Sequence, residues 1–455
     1  YLSGLAPTRL GESALRLGRG LLVSSPVVAQ IVAVLTLGYS LWAWMYFTEA
    51  EATVVALGTI GSFVVTGGFI QCIGREGHRY LGSRSPRDAR RACTRLTRAG
   101  LGVVGTLSLA ALVVNTAFPF YPFGLLATCL LYFILLSALW LVLSVLYVLE
   151  QYLAIAMCTI AGLVPVAAIV DGTEWGIYAA HAAGIAFSVG LSTLYAAYCF
   201  RRLIQNQSRD REAATPAPRV VEFHDLLPYF LYGTLLFGLV FVDRVIAWSV
   251  TEGDPSPYLI WFRTPYELGL DWALVPFLLV APIVEYATQE FADWFSPSSD
   301  RISDLGVEAA TERFRSLYRR HLGLIVAVGM LGVAGVYGGV LHLVETGELA
   351  VLSEIVADPV TRFVYAWASL SYVAVAVGLY HVLLFFSLDR PWFALRSVGS
   401  ALGTNVVVGF GASRAFGYEY AAAGLCAGAL VFAGQTLWYG RAVVDRFSYY
   451  HYSAH

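Results

Sequence analysis

REGHRYLGSRSPRDARRACTRLTR, residues 75–98, decides how the chain is read. Arg75, Arg79, Arg84, Arg87, Arg90, Arg91, Arg95 and Arg98 are gathered there between two long apolar runs. The same bias recurs at the N-terminal end (Arg9, Arg16, Arg19) and in every second gap between apolar runs. Those gaps hold Arg201, Arg202, Arg209, Arg211 and Arg219, then Arg301, Arg313, Arg315, Arg319 and Arg320, then Arg390 and Arg396. Arg441 and Arg446 close the series. All 29 cationic residues are arginine, and only Arg244, Arg263, Arg362 and Arg414 fall outside this set. The alternate gaps are acidic, with Glu49 and Glu51, Asp171 and Glu174, Glu252 and Asp254, and Glu345, Glu348, Glu354 and Asp358. Alternation of this kind is the positive-inside signature of a polytopic membrane protein, here with both termini cytoplasmic.

Composition points the same way. Of 455 residues, 58% are hydrophobic and 13% charged, and the mean hydropathy is +0.66. At about 20 apolar residues per span, the chain has room for roughly a dozen helices. The runs are continuous and lack the dyad alternation of a transmembrane barrel. Spans are expected near 21–47, 53–73, 99–118, 123–149, 152–170, 175–200, 225–249, 261–289, 321–344, 361–388, 393–414 and 418–440. The fold class is therefore all-α, with twelve transmembrane helices. The first run is long and is not followed by a small-residue cleavage pattern, so it reads as a retained span rather than a signal peptide. Trp42, Trp44, Tyr46, Tyr121, Trp175, Trp248, Tyr258 and Trp261 gather near the outer boundaries, as interfacial aromatic belts do.

Six spans precede the polar stretch QNQSRDREAATPAP at 205–218 and six follow it. This divides the chain into a six-helix bundle at 1–200, a cytoplasmic linker at 201–223 and a second bundle at 224–455. Each half has a long basic connection after its second span, at 74–98 and 290–320, which fits two repeats about an axis along the membrane normal. In the second connection, Ile302, Leu305, Ala309, Phe314, Leu317 and Tyr318 alternate with charges. That pattern reads either as an amphipathic helix on the inner membrane surface, offering a partner-binding face, or as a solvated helix that supports topology.

Charges inside spans are costly, on the order of 3 kcal/mol each at a helix centre, and mark cavities or partners. They concentrate in two adjacent spans: Asp243 and Arg244 in the seventh, and Arg263, Glu267, Asp271 and Glu285 in the eighth. Arg263, Glu267 and Asp271 follow one another at i, i+4 and form a stripe if all three are helical. Glu285 lies five turns beyond Glu267, about 27 Å along an ideal axis, with Pro276 and Pro282 between. Two readings stand. Either Asp243, Arg244, Arg263 and Glu267 lock the two helices together by salt bridges, or four acids against two arginines make a polar wall suited to polar or cationic cargo. In the first half, Ser24, Ser25, Pro26 and Gln30 open the first span, and Thr66, Gly67, Gly68 and Gln71 close the second. These residues read as helix packing or as hydrogen-bonding groups for sugar.

Chemistry of other kinds is not signalled. His181, His342 and His381 are isolated within spans and read as interior hydrogen-bonded residues. Cys129, Cys158 and Cys426 lie in apolar runs, and Cys72, Cys93 and Cys199 lie near inner ends, none at metal-ligand spacing. No phosphate loop or nucleophile elbow occurs, so no cofactor, metal site, nucleic-acid partner or internal ATP drive is expected.

The segments GRGLLVSSPVVAQIVAVLTLG (Gly18–Gly38), VVTGGFIQ (Val64–Gln71), LLPYFLYGTLLFGLVFVDRVIAWS (Leu226–Ser249) and the long eighth run Tyr266–Phe295 resemble the multidrug/oligosaccharidyl-lipid/polysaccharide (MOP) exporter superfamily. More narrowly they are similar to PelG-type exopolysaccharide exporters. The resemblance spans nearly the whole chain. It implies two six-helix bundles around a cavity lined by the first, second, seventh and eighth helices. The site residues would then be Asp243, Arg244, Arg263, Glu267, Asp271, Glu285, Gln30 and Gln71. It also implies a partly cationic amino-sugar cargo, a location in the inner membrane, and association with a cytoplasmic glycosyltransferase and other inner-membrane components. One departure stands out: cation-coupled drug exporters of the superfamily carry an acid in the first span, and residues 21–47 contain none. The expected function is export or flipping of a polysaccharide or lipid-linked glycan. The alternatives are a cation-coupled small-molecule exporter and, from another class, an integral membrane glycan acyltransferase or ligase.

Overall fold

The computed structural model describes residues 9–206, 219–251, 258–295, 306–346, 358–447 and 449–450. Among them the chain is helical throughout, apart from short connections and one isolated bridge between Tyr39 and Trp44. The α-helices are α1 (Arg9–Leu37), α2 (Glu49–Gly82), α3 (Pro86–Ala117), α4 (Phe123–Val148), α5 (Tyr152–Ala161), α6 (Leu163–Gly172) and α7 (Gly176–Gln205). They continue as α8 (Arg219–Trp248), α9 (Thr264–Phe295), α10 (Val307–Glu345), α11 (Pro359–Ser387), α12 (Pro391–Phe416) and α13 (Ala421–Asp445). Among the described residues, 11 helical segments are long and apolar enough to cross a membrane, with α5 and α6 taken together, and Ser24–Leu37 of α1 is a shorter apolar helix. Each of the twelve expected spans is helical over most of its length.

Three expectations change. The first span, expected to reach residue 47, ends with α1 at Leu37 because Gly38 takes a φ of +81, a left-handed conformation that glycine adopts without a Cβ clash. Residues 38–45 then fold back. Met45 N–H donates to the Gly38 carbonyl at 2.9 Å and Ser40 N–H to the Ala43 carbonyl at 2.8 Å. Thr48 and Glu51 form a capping box that starts α2.

The basic connection at 74–98 is not a long loop. Both helices run through it and only residues 83–85 break them, since Pro86 suits the first turn of α3 and the arginines favour helix. In the second basic connection, the part from Val307 onward belongs to α10. Its apolar side packs inward instead of lying on a membrane surface: Phe314 is fully buried against Phe291 and Phe447, with ring centroids at 5.2 and 4.3 Å. Ile302, Leu305 and the linker residues 207–218 lie outside the described residues.

The backbone divides into two compact units. One comprises Ser25–Gly238 and Gly253–Phe262, and the other Tyr1–Ser24, Leu239–Glu252 and Arg263–His455. The boundary passes through α1 and α8.

In the first unit, α2 and α4 form the centre, with Tyr132, Leu136, Leu139, Leu141 and Leu146 buried against Val55, Phe69 and Ile73. Lipid offers no hydrophobic gain between helices, so close van der Waals approach must hold them together. Small residues make that approach. A Cβ on Gly233 of α8 would lie 2.3 Å from the Gly67 carbonyl, and one on Gly67 would lie 2.7 Å from the Gly233 carbonyl. Gly233→Val is therefore expected to cost about 1–3 kcal/mol through overpacking. Gly105→Val, where a Cβ meets nothing within 4 Å, should cost far less. Melting of the purified variants in detergent checks this, and equal losses would refute the seam.

In the second unit α11 is the most enclosed element, packed on α9 and α13. Gly269 lets α9 approach α11, where an added Cβ would sit 2.7 Å from the Thr361 carbonyl. The Thr361 hydroxyl donates to the Pro265 carbonyl at 3.1 Å.

Candidate functional site

Two helix ends in the second unit bring the charged residues together. On α8, Asp243 and Arg244 are neighbours in sequence and so project about 100° apart. Near the start of α9, Tyr266 and Glu267 do the same. Each member of one pair meets a member of the other. The Tyr266 hydroxyl donates to Asp243 Oδ2 at 2.8 Å, and Arg244 Nη1 donates to Glu267 Oε2. One turn along α9, Asp271 Oδ1 lies 3.5 Å from Arg244 Nη2. One turn along α8, Trp248 Nε1 donates to Glu267 Oε1 at 2.9 Å. The Tyr372 hydroxyl of α11 lies beside the Arg244 guanidinium.

Exposure grades across this cluster. The Asp243 side chain is fully buried, Glu267 and Arg244 are 5% and 13% exposed, and Asp271 is 67% exposed. Buried charges are tolerated only when paired and hydrogen-bonded, and Arg244 supplies that pairing for two carboxylates at once. Three carboxylates face one guanidinium, so the ionised cluster carries net negative charge. Asp243 Oδ1 and Arg244 Nε are buried without a hydrogen-bond partner among the described residues. Such a set can accept hydrogen bonds from hydroxyl or ammonium groups at Asp271, its most exposed carboxylate.

The expected site is assembled in part. Asp243, Arg244, Glu267 and Asp271 come together. Arg263 does not join them: it immediately precedes α9, its carbonyl accepts the Glu267 N–H at 3.1 Å, and its side chain leaves the stripe. Its Nη2 donates to the Val250 carbonyl at 2.7 Å and its guanidinium lies 5.1 Å from the Tyr418 ring centre. Of the four residues expected to bridge the two helices, Arg244 and Glu267 form the salt bridge between them. Glu285 lies eighteen residues further along α9, where Gln289 Nε2 donates to it at 3.2 Å. Pro276 and Pro282 sit inside α9 without ending it.

In the first unit, Gln30 is buried and its Oε1 accepts the Leu41 N–H at 2.8 Å, holding the fold-back after α1. Gln71 is partly buried, with its Cγ 2.7 Å from where a Cβ on Gly233 would stand, inside the α2–α8 seam.

Sequence reading missed the aromatic partners of the acids. Trp248, expected in an interfacial belt, is 1% exposed and serves Glu267. Tyr266 and Tyr372 were also passed over. A ring donor adjacent to, or one turn from, an intramembrane acid is the signal that finds such residues. A second polar cluster was missed as well: Glu290 accepts from His321 Nε2 at 2.8 Å and from Arg320 Nη2 at 2.9 Å. Of the isolated histidines, His381 donates from Nδ1 to the Val377 carbonyl and accepts from the Tyr318 hydroxyl at Nε2, both at 2.7 Å. His181 Nδ1 pairs with the Tyr132 hydroxyl, and His342 is exposed. Among the described residues no three His, Cys, Asp or Glu side chains are grouped so as to hold a metal ion.

Neither a protein-family model nor a curated protein sequence matches the chain. Solved structures do match in fold. A variant of the Vibrio cholerae MATE transporter VcmN gives a TM-score of 0.67 at 13% identity, covering 97% of this chain and 98% of that one. A MATE transporter in complex with MaD5 gives 0.66 at 13% identity over 96% of each. An inward-facing multidrug resistance MATE family transporter of the MOP superfamily gives 0.60 at 13% identity over 98% and 97%. With helices spread along its length that can cross a membrane and this end-to-end likeness, the chain is a multi-pass, all-helical membrane protein with the fold of the MATE transporters.

Proposed function

We propose that the protein is a MOP-type exporter that carries a polysaccharide or lipid-linked glycan from the cytoplasmic to the outer face of the inner membrane. The observation that carries this reading is the acidic cluster on α8 and α9, in which Asp271 stays 67% exposed while Arg244 anchors it to the nearly buried Glu267. A carboxylate-rich patch of this kind accepts hydrogen bonds from sugar hydroxyls and binds the ammonium of an amino sugar, and charged acceptors make the stronger bonds. The MATE fold supports movement of cargo over covalent chemistry. A cytoplasmic glycosyltransferase and other inner-membrane components are the partners this reading entails.

A second reading, cation-coupled export of a small molecule, is favoured by the neighbour described as a multidrug resistance transporter. Against it stands α1, whose residues 21–37 carry no acid. Vesicles containing the purified protein separate the readings. Labelled cationic oligosaccharide should cross the bilayer faster than in protein-free vesicles. Movement of a cationic dye with no movement of the oligosaccharide would favour the second reading, and chemical modification of the glycan without movement would overturn both.

A further inference from the structure

We propose that the arginine face of α3 is a binding site for the headgroup of an anionic, two-phosphate phospholipid in the leaflet on that side of the membrane. At 100° per residue, Arg87, Arg90, Arg91, Thr94, Arg95 and Arg98 fall within an arc of about 140°. Together with Ile204 of α7 they line one concave pocket of 620 Å³. A positive-inside bias accounts for how many arginines flank a span, not for their collection around one hollow.

Two of them are neutralised internally, Arg95 by Glu222 and Arg91 by Asp88 at 3.4 Å. Arg87, Arg90 and Arg98 are exposed and make no ion pair among the described residues. These three are spread over eleven residues, about 16 Å of helix, more than one phosphate can bridge. Basic pockets between membrane-spanning helices bind phosphate headgroups.

The surface below the pocket fits acyl chains. Arg98 directly precedes the apolar part of α3, and along the same side Leu101, Gly102, Gly105 and Val113 are exposed. Positions 102 and 105 have open space where a Cβ would stand, leaving a shallow track beneath the charged hollow. Charge above and a bare apolar track below together select a lipid over a soluble phosphate.

Native mass spectrometry of the full chain in detergent, with diphosphatidylglycerol, phosphatidylcholine or inorganic pyrophosphate added, tests the site. The wild type should retain diphosphatidylglycerol in preference to phosphatidylcholine. The triple variant R87Q/R90Q/R98Q should bind it about tenfold or more weakly, given that each basic residue near the surface contributes measurably. The control R313Q/R319Q/R396Q, which removes exposed arginines elsewhere, should bind as the wild type does. A second variant, Gly105→Leu, keeps every charge but fills the track, and it should weaken lipid retention while leaving any pyrophosphate adduct unchanged. Equal losses in the pocket and control variants, equal retention of the zwitterionic lipid, displacement of the lipid by equimolar pyrophosphate, or unchanged retention in both pocket and track variants would each overturn the proposal.

Discussion

Replacing Arg244 by leucine is expected to lower the stability of the protein by about 3–5 kcal/mol, the range seen when one partner of a buried ion pair is removed. The size of the effect follows from what is left behind. Glu267 is 5% exposed and would keep only the Trp248 indole as a donor, while Asp243 and Asp271 would add like charge beside it. Adding Glu267→Gln to Arg244→Leu removes the stranded carboxylate and should recover much of the loss. Thermal melting of the two variants in one detergent checks this. A double variant less stable than Arg244→Leu by the full cost of a second independent lesion would show that the two side chains do not act as a pair.

Asp271→Asn is expected to do the opposite: leave folding nearly unchanged and reduce export of a cationic oligosaccharide by about tenfold or more, as loss of one charge-assisted contact implies. Asp271 is the most exposed carboxylate of the cluster, at 67%, and Arg244 keeps Glu267 as its partner when Asp271 is neutralised, so the substitution strands no buried charge. Initial rates of oligosaccharide movement in vesicles, set beside melting curves, separate the two effects. Wild-type rates in Asp271→Asn would leave the cluster with a structural role alone.

Much of the architecture was legible in the order of residues, because bilayer thickness and charge asymmetry are written directly into apolar runs and arginine placement. What escaped reading has local physical causes. The aromatic run at residues 42–47 is as apolar as a span, yet one glycine at position 38 with a φ of +81 turns the chain back before it. Hydropathy reports the apolar part of a helix and is blind to its continuation through charged residues, so it ends α2 and begins α3 short of the arginine-rich turns that belong to both helices.

The charged pair of helices was identifiable because intramembrane acids are rare and costly, but their partners were not. Arg263 stands at the lip of α9, where its carbonyl belongs to the helix but its guanidinium turns to the Val250 carbonyl. Gln30 holds a turn eleven residues away, a contact no periodicity announces. Trp248 and Tyr266 look like ordinary interfacial or packing aromatics until the register of α8 against α9 aims their polar atoms at carboxylates.

In the function proposed above, Asp271 is the exposed end of a buried acidic cluster and meets the cargo. Carbodiimide-driven coupling of a small amine to accessible carboxylates, read by peptide mass spectrometry with and without a cationic oligosaccharide, tests it most directly. Asp271 should be labelled and the oligosaccharide should suppress that labelling, with Asp243 unlabelled in both conditions. Failure of Asp271 to label, or labelling indifferent to the oligosaccharide, would contradict it.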